Sequence, residues 1–249
     1  MKQISTAIIS NTELMPGVHL ICAEAPGIAA IARPGQFVMV NCGQELTLRR
    51  PLSIHQVANS NQLYLLFNIV GKGTLWLSHC QKGDSLDLLG PLGNGFSIEP
   101  ASKKLLLLAG GIGIAPLTFL AQQAISQGKS VTLLLGAATA NQLYPQQALP
   151  GGIQTIVTTE DGSAGKKGMI TDILPDFIDW ADQIYACGPL AMYQTIATQK
   201  QHMEKPIQIS LEVRMGCGLG ACYGCSIKTR HGMKQVCRDG PVFNLEEII

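Results

Sequence analysis

The chain has 249 residues, of which 14% are Asp, Glu, Lys or Arg, and its formal net charge is +1. That length favours about two domains with hydrophobic cores of their own, and the near-neutral balance gives no reason to expect nucleic acid or an anionic membrane as partner. The charge content falls well below the roughly 25% of an average globular protein, which implies deeply buried strands, a surface covered by another subunit, or both.

The first residues, Met1-Lys-Gln-Ile-Ser-Thr6, lack the apolar centre of a signal peptide, so a cytoplasmic location is expected. Residues 1–98 read as short alternating strands between turns, among them Gly35–Asn41, Gln62–Asn68 and Asp84–Leu89, the pattern of an antiparallel β-barrel. One helix is expected there, from Thr74 to about Cys80, with Thr74 as its N-cap. Within this region Arg50-Pro51-Leu52-Ser53 ends a strand; taken alone it is equally an ordinary strand edge. Gly71-Lys-Gly73-Thr74 follows at a helix start, where free N–H groups suit a pyrophosphate.

The pattern changes at Lys103. An apolar run, Leu105–Ala109, leads into a glycine turn and a helix, and further strands are expected at Val131–Leu135, near Ile153–Thr158 and near Gln183–Ala186. Strands alternating with helices over 103–210 indicate a doubly wound α/β domain with a parallel sheet. From Leu105 to Gly128 there is no charge, a length that could cross a membrane. Gly110, Gly111, Gly113 and Pro116 interrupt it, so strand, turn and helix are expected instead. Gly110-Gly111-Ile-Gly113-Ile-Ala-Pro116 sits where such a sheet binds a nucleotide, with Pro116 in place of the third glycine of the usual fingerprint. A second turn, Cys187-Gly188-Pro189, follows a late strand at the same sheet edge.

Residues 211–249 hold Cys217-Gly-Leu-Gly-Ala-Cys222-Tyr-Gly-Cys225 and then Cys237. A C-x4-C-x2-C array with one further cysteine matches a [2Fe–2S] loop, and Gly216, Gly218, Gly220 and Gly224 suit a backbone that turns its N–H groups toward sulfur. A zinc knuckle is the alternative, although zinc usually takes two paired units. Cys22, Cys42, Cys80 and Cys187 stand alone and read as free buried thiols. His19, His55, His79, His202 and His231 show no metal spacing. Glu160-Asp161-Gly162 reads as a turn, and Arg214, Lys228, Arg230 and Arg238 as a solvated basic face. No acid–base pair or nucleophile stands out.

Taken in order, these motifs resemble the ferredoxin reductase superfamily, in which a flavin-binding barrel precedes a nucleotide-binding domain. Leu211 to Cys225 with Cys237-Arg-Asp-Gly-Pro-Val-Phe243 is similar to the electron-transfer subunits of bacterial NAD-dependent dihydroorotate dehydrogenases. The resemblance implies that Arg50, Pro51, Leu52, Ser53, Leu66, Phe67, Asn68, Gly73 and Thr74 line FAD. Arg50 and Ser53 would lie near the ring and ribityl chain, and Gly73 and Thr74 on the diphosphate. It implies that Cys217, Cys222, Cys225 and Cys237 hold a [2Fe–2S] cluster. It also implies that Gly110, Gly111, Gly113, Cys187, Gly188 and Pro189 contact NAD. The absence of Arg or Lys in Gly136–Asn141 favours NAD over NADP. The implied partner is a catalytic, FMN-containing dihydroorotate dehydrogenase subunit, in a heterotetramer of two of each, serving pyrimidine biosynthesis. Two features depart from the pattern: Leu52 stands where an aromatic is usual, and Cys237 follows Cys225 more closely than in plant-type ferredoxins. The rival readings are an NAD(P)H-dependent reductase subunit serving an oxygenase, sulfur reductase or hydrogenase, and a zinc-stabilised flavoprotein used for binding or sensing.

Overall fold

The computed structural model describes residues 1–200 and 205–249; His202 lies outside them. The N-terminal half is a closed antiparallel barrel of β1 (Lys2–Met15), β2 (Val18–Glu24), β3 (Phe37–Val40), β4 (Arg50–Ala58), β5 (Gln62–Asn68) and β6 (Ser85–Leu92), in the order β1-β2-β5-β4-β3-β6. Two helices punctuate it, α1 (Pro26–Ala29) and α2 (Lys72–His79). The two-residue alternation of strands sets what each face touches. On β3, Val38 and Val40 join the barrel core, whereas Phe37 and Met39 join a separate apolar cluster outside it. On β5, Leu63, Leu65 and Phe67 point inward, while Leu66 packs against the second domain.

The α/β half runs β7 (Lys104–Gly110), α3 (Ile114–Ser126), β8 (Ser130–Ala137), β9 (Ile153–Thr159), β10 (Lys166–Lys167), α4 (Ile170–Ile173), α5 (Pro175–Ile178), β11 (Gln183–Cys187), α6 (Leu190–Lys200) and β12 (Ile207–Ser210). Its strands lie in the order β10-β9-β8-β7-β11-β12, parallel throughout. The chain steps outward from β7 through β8 and β9, then returns to the other side of β7 with β11. The boundary between β7 and β11 is therefore the switch point of a doubly wound sheet, where the crevice beyond the carboxyl ends of the strands receives ligands. The unbroken apolar run of β7 follows from burial on both faces. Leu105, Leu107 and Ala109 pack with α3, and Leu106 and Leu108 with the residues of α4 and α6 on the opposite face.

The C-terminal segment adds β13 (Ser226–Thr229), β14 (Gly232–Gln235), α7 (Val236–Asp239), β15 (Val242–Asn244) and α8 (Leu245–Ile248). β15 pairs antiparallel with β12, Phe243 opposite Ile209, and so extends the sheet as its edge strand. No helix among the described residues is long and apolar enough to cross a membrane.

One buried imidazole joins barrel to sheet. His55 on β4 is fully buried, its Nδ1 lies 3.0 Å from the Ala115 carbonyl oxygen of α3, and its Nε2 lies 3.0 Å from the Tyr144 hydroxyl. Burial pushes His55 down to about 4, against the carbonyl contact that favours the charged form. The ring is therefore neutral at physiological pH, with Nδ1–H donating to Ala115 and Nε2 accepting from Tyr144. Gln122 on α3 reinforces the joint by donating to the Val57 carbonyl, again on β4, at 3.0 Å.

Candidate functional site

The cysteine loop is shaped by backbone N–H groups aimed at sulfur. Leu219 and Cys222 donate to Cys217 Sγ at 3.3 and 3.4 Å, Gly220 donates to Cys237 Sγ at 3.2 Å, and Cys237 donates to Cys225 Sγ at 3.4 Å. Gly218 and Gly220 adopt φ of +71° and +80°, the left-handed region that the sequence led us to expect for the loop. Gly216 and Gly224 do not share that geometry. They lie beside Cys222 instead, where a Cβ would come within 3.3 and 3.5 Å of its sulfur. The thiols form two pairs: Cys225 and Cys237 are 3.2 Å apart, and the Cys222 thiol hydrogen-bonds to Cys217. Among the described residues no three His, Cys, Asp or Glu side chains converge on one point. A mononuclear zinc needs its donors around a single ion, whereas two irons bridged by sulfide each take two ligands. The donor set thus fits the cluster better than zinc. Burial works against the Cys217 thiolate, but N–H donation from Leu219 and Cys222 outweighs it and brings the thiol down to about 6. Burial and the neighbouring Cys225 push Cys237 up to about 12, so a metal must displace that proton to bind.

On the barrel, α2 begins at Lys72 and carries Thr74 within its first turn rather than at its cap. The Thr74 hydroxyl accepts from the Val70 and Gly71 N–H groups at 2.9 and 3.2 Å, so it organises the turn that presents the helix start. Arg50 lies directly over that start: a Cβ on Gly73 would meet Arg50 Nε at 2.8 Å. A guanidinium and a helix N-terminus thus converge on one spot, an arrangement suited to a diphosphate. Arg50 therefore lies beside Gly73 and the helix start, not apart from them as expected from the sequence. Ser53 is half-buried, opposite Phe37 on β3. Leu52 and Phe67 turn into the barrel core, so they can meet a cofactor only through their backbone.

Asn68 leads from the barrel into a cleft of about 980 Å³ at the switch point. Gly110, Gly111, Gly113, Gly188 and Pro189 all line it, and Arg50, Ser53 and Gly73 lie outside it. The two glycine turns touch: a Cβ on Gly113 would fall 1.9 Å from the Cys187 carbonyl oxygen. Cys187 itself is buried, its thiol 3.7 Å from the Ser210 carbonyl. Of the other motifs, Glu160 and Lys228 line the cleft, while Asp161 closes its own turn by accepting from Ser163.

Several cleft residues carried no signal in the sequence. Tyr193 is fully buried on α6; its hydroxyl accepts from the Gly188 N–H at 2.9 Å and donates to the Ser210 carbonyl at 2.6 Å, pinning the second turn to the end of β12. Glu212 reaches the same cleft, and the surrounding protein raises its carboxyl above the usual range by desolvation. Thr158, at the end of β9, has a buried hydroxyl without a partner, and the Asn68 side-chain oxygen is likewise buried and unpaired. Unpaired polar groups lining an apolar cleft are costly unless a ligand completes them. These residues therefore fit a nucleotide bound along the sheet edge.

A family model described as the iron-sulfur cluster binding domain of dihydroorotate dehydrogenase B matches residues 212–249, and one described as an oxidoreductase NAD-binding domain matches residues 107–198. A dihydroorotate dehydrogenase B (NAD(+)) electron transfer subunit of Desulforamulus reducens is 38% identical, the match covering 100% of this chain and 98% of that protein. The chain belongs to the dihydroorotate dehydrogenase B electron transfer subunit family. A Bacillus cereus member is 35% identical, over 100% of this chain and 99% of its own. Among solved structures, the NADH-dependent reduced ferredoxin-NADP oxidoreductase studied for flavin-based electron bifurcation superposes with a TM-score of 0.88 at 32% identity, covering 98% of this chain and 89% of that one. A ferredoxin NADP+ reductase from Neisseria gonorrhoeae, solved with FAD and NADP, shares the fold at 18% identity and a TM-score of 0.67, covering 86% of this chain and 94% of that one. Family membership thus agrees with the barrel, the doubly wound sheet and the cysteine loop described above.

Proposed function

We propose that this chain carries electrons between a catalytic, FMN-containing dihydroorotate dehydrogenase subunit and NAD+, through a [2Fe–2S] cluster and FAD, in pyrimidine biosynthesis. One observation carries the reading: the cluster cysteines and the flavin motif adjoin. Cys225 and Cys237 share an apolar core with Phe37 and Met39 of β3, and those two residues pair across the ladder with Ser53 and Pro51. FAD, when bound, exchanges a hydride with the nicotinamide and single electrons with the cluster, which is why it must stand between them.

The roles of the chain's own residues follow from their places. Arg50 and the start of α2 at Gly73 and Thr74 hold the diphosphate; Pro51, Ser53, Leu66 and Asn68, with the backbone of Leu52 and Phe67, border the flavin. The touching turns Gly110–Gly113 and Cys187–Pro189 seat the nucleotide against it, with Thr158 and Glu212 along the cleft. Cys217, Cys222, Cys225 and Cys237 hold the cluster. Electrons enter and leave where the loop meets solvent, at Cys222, flanked by Leu219 at 46% exposure and Tyr223 at 69%. Tyr223 takes a left-handed φ of +58°, uncommon for a side-chain-bearing residue and typical of functional sites. The catalytic subunit docks on this rim in a heterotetramer of two of each chain. None of the eight cysteines is in a disulfide, as suits the reducing cytoplasm in which we place the protein.

The purified chain is expected to reduce artificial acceptors with NADH but not to oxidise dihydroorotate, and addition of the catalytic subunit is expected to couple dihydroorotate oxidation to NAD+. Orotate formation by the single chain would overturn this division of labour. The similarity to a ferredoxin-NADP oxidoreductase favours a second reading, a reductase subunit for a ferredoxin-linked partner. Identifying the subunit that copurifies from the native host separates the two.

A further inference from the structure

The cysteine loop does not merely lie near the barrel; it presses on it at one residue. Gly218, between the first cysteine and Leu219, is buried, and a Cβ there would stand 2.5 Å from Met39 Cγ, 2.9 Å from Met39 Sδ and 3.3 Å from Leu92 Cδ1. Met39 is fully buried, so its side chain has little freedom to yield. It projects outward from β3, between Val38 and Val40 that face the barrel core, and its backbone pairs with Pro51 of the flavin motif. Phe37, the next outward residue of β3, pairs with Ser53 and packs with Cys225 and Cys237.

We propose that the Gly218–Met39 contact sets the spacing between cluster and flavin, making Met39 and Gly218 positioning residues for electron transfer within the chain. This rests on the function proposed above. FAD held by Arg50 and the start of α2 would accept a hydride from NADH, and the cluster held by the four cysteines would take its electrons one at a time. Passage of an electron between the two would depend steeply on their separation, whereas the glycine turns that would seat the nicotinamide line a cleft that neither Gly218 nor Met39 lines. A glycine at 218 lets the loop seat directly on the thioether, and any side chain there forces the loop or the buried thioether to shift, which would move the cluster relative to β3. Packed interiors transmit such a displacement because they have no slack to absorb it.

The test compares Gly218→Ala, Met39→Phe and the double variant Gly218→Ala/Met39→Ala with the wild-type holoprotein. Gly218→Ala pushes from the loop side, and Met39→Phe pushes from the barrel side with every residue of the cysteine loop intact. On rapid mixing with NADH, both single variants are expected to bleach flavin at the wild-type rate and to reduce the cluster on the order of tenfold more slowly. Iron, acid-labile sulfide and both midpoint potentials should stay unchanged, and the magnetic coupling between reduced cluster and one-electron-reduced flavin should weaken. In the double variant, loss of the Met39 side chain makes room for the alanine methyl, so cluster reduction should recover toward wild type. The recovery is partial, because the φ of +71° at Gly218 strains any side chain there whatever the space; unchanged iron, sulfide and potentials separate a displaced cluster from a damaged loop. If Gly218→Ala loses iron, Met39→Phe alone decides. Cluster reduction at the wild-type rate in iron-replete Met39→Phe would overturn the inference, as would an equal slowing of flavin and cluster. Wild-type protein without iron would instead overturn the function on which the inference rests.

Discussion

At the scale of single residues, the chemistry divides into groups whose roles are local and groups made functional by distant neighbours. The iron-sulfur segment was legible because the spacing of its cysteines along the chain is itself a binding pattern, and the family model matched over 212–249 agrees with it. Arg50 was singled out from its motif, but its position over Gly73 was not legible, since that contact joins a strand to a helix that follows it across a hairpin. Replacing Arg50 with Ala removes a charge-assisted contact of about 1.5–3 kcal/mol. FAD affinity should fall by at least about tenfold, measured by fluorescence titration of the flavin-free protein, while iron content stays the same. His55 looked like a lone histidine; its partners Ala115 and Tyr144 lie 60 and 89 residues away. Its titration has a definite sign. The unfolded chain binds a proton near the ordinary value of about 6.5, but the folded chain resists protonation until about 4. Stability should therefore be unaffected by this group above about pH 6.5 and should decline as the pH falls from there toward 4. At about 1.4 kcal/mol per pH unit the loss reaches roughly 3 kcal/mol. Denaturant midpoints should fall over that window in wild type, and less steeply in His55→Leu. Parallel slopes would show that the imidazole is not the group responsible.

At the scale of elements, the strands were read well and their neighbours were not. Gln62–Asn68 matches β5 residue for residue, and the apolar runs of β7 and β8 needed only a residue or two at their ends. Such runs announce themselves because helices cover both faces of the sheet, and Leu107 shows what that burial contributes. It has no exposed surface, so Leu107→Ala should cost about 2–5 kcal/mol in urea unfolding through the cavity left behind. The helix at Thr74 was placed a turn late because a threonine hydroxyl that accepts from preceding N–H groups resembles an N-cap in sequence. β15 was hidden entirely: a three-residue strand has no periodicity to read, and it belongs to the sheet only through pairing with β12. The contact between the two nucleotide turns was equally silent, though it rests on one glycine. Gly113→Ala must drive its methyl into the backbone of Cys187, a group that cannot rotate away. Flavin reduction by NADH should slow on the order of a hundredfold, with flavin and iron retained. An unchanged rate would remove this turn from the nucleotide site.

At the scale of the whole molecule, three of the cores adjoin the barrel: β3 divides its residues between two of them, and β5 reaches the third through Leu66. One fills the barrel, one lies beneath the nucleotide turns, and one binds the cysteine loop to the barrel's outer face. The flavin and cluster sites proposed above would thereby share β3 as a common wall. The order of the units was legible from where the motif types change along the chain; their mutual packing was not, since Met39, Leu92 and Cys237 come together only in the fold. The exposed rim at Leu219 and Tyr223 belongs to this scale too. An aspartate at either position sets a charge in the centre of the proposed interface. Affinity for the catalytic subunit should weaken by about tenfold or more, read by calorimetry or copurification, while NADH continues to reduce the cluster in the separated chain. Undiminished assembly would move the docking face elsewhere.

The most direct measurement is made on the chain purified without oxygen and mixed with NADH at low temperature. Iron and acid-labile sulfide should be present in equal amounts, the flavin should bleach, and a paramagnetic signal of a reduced [2Fe–2S] cluster should follow. Flavin that bleaches in protein holding zinc, or iron without sulfide, with no such signal, would contradict a cluster wired to the nucleotide through the flavin.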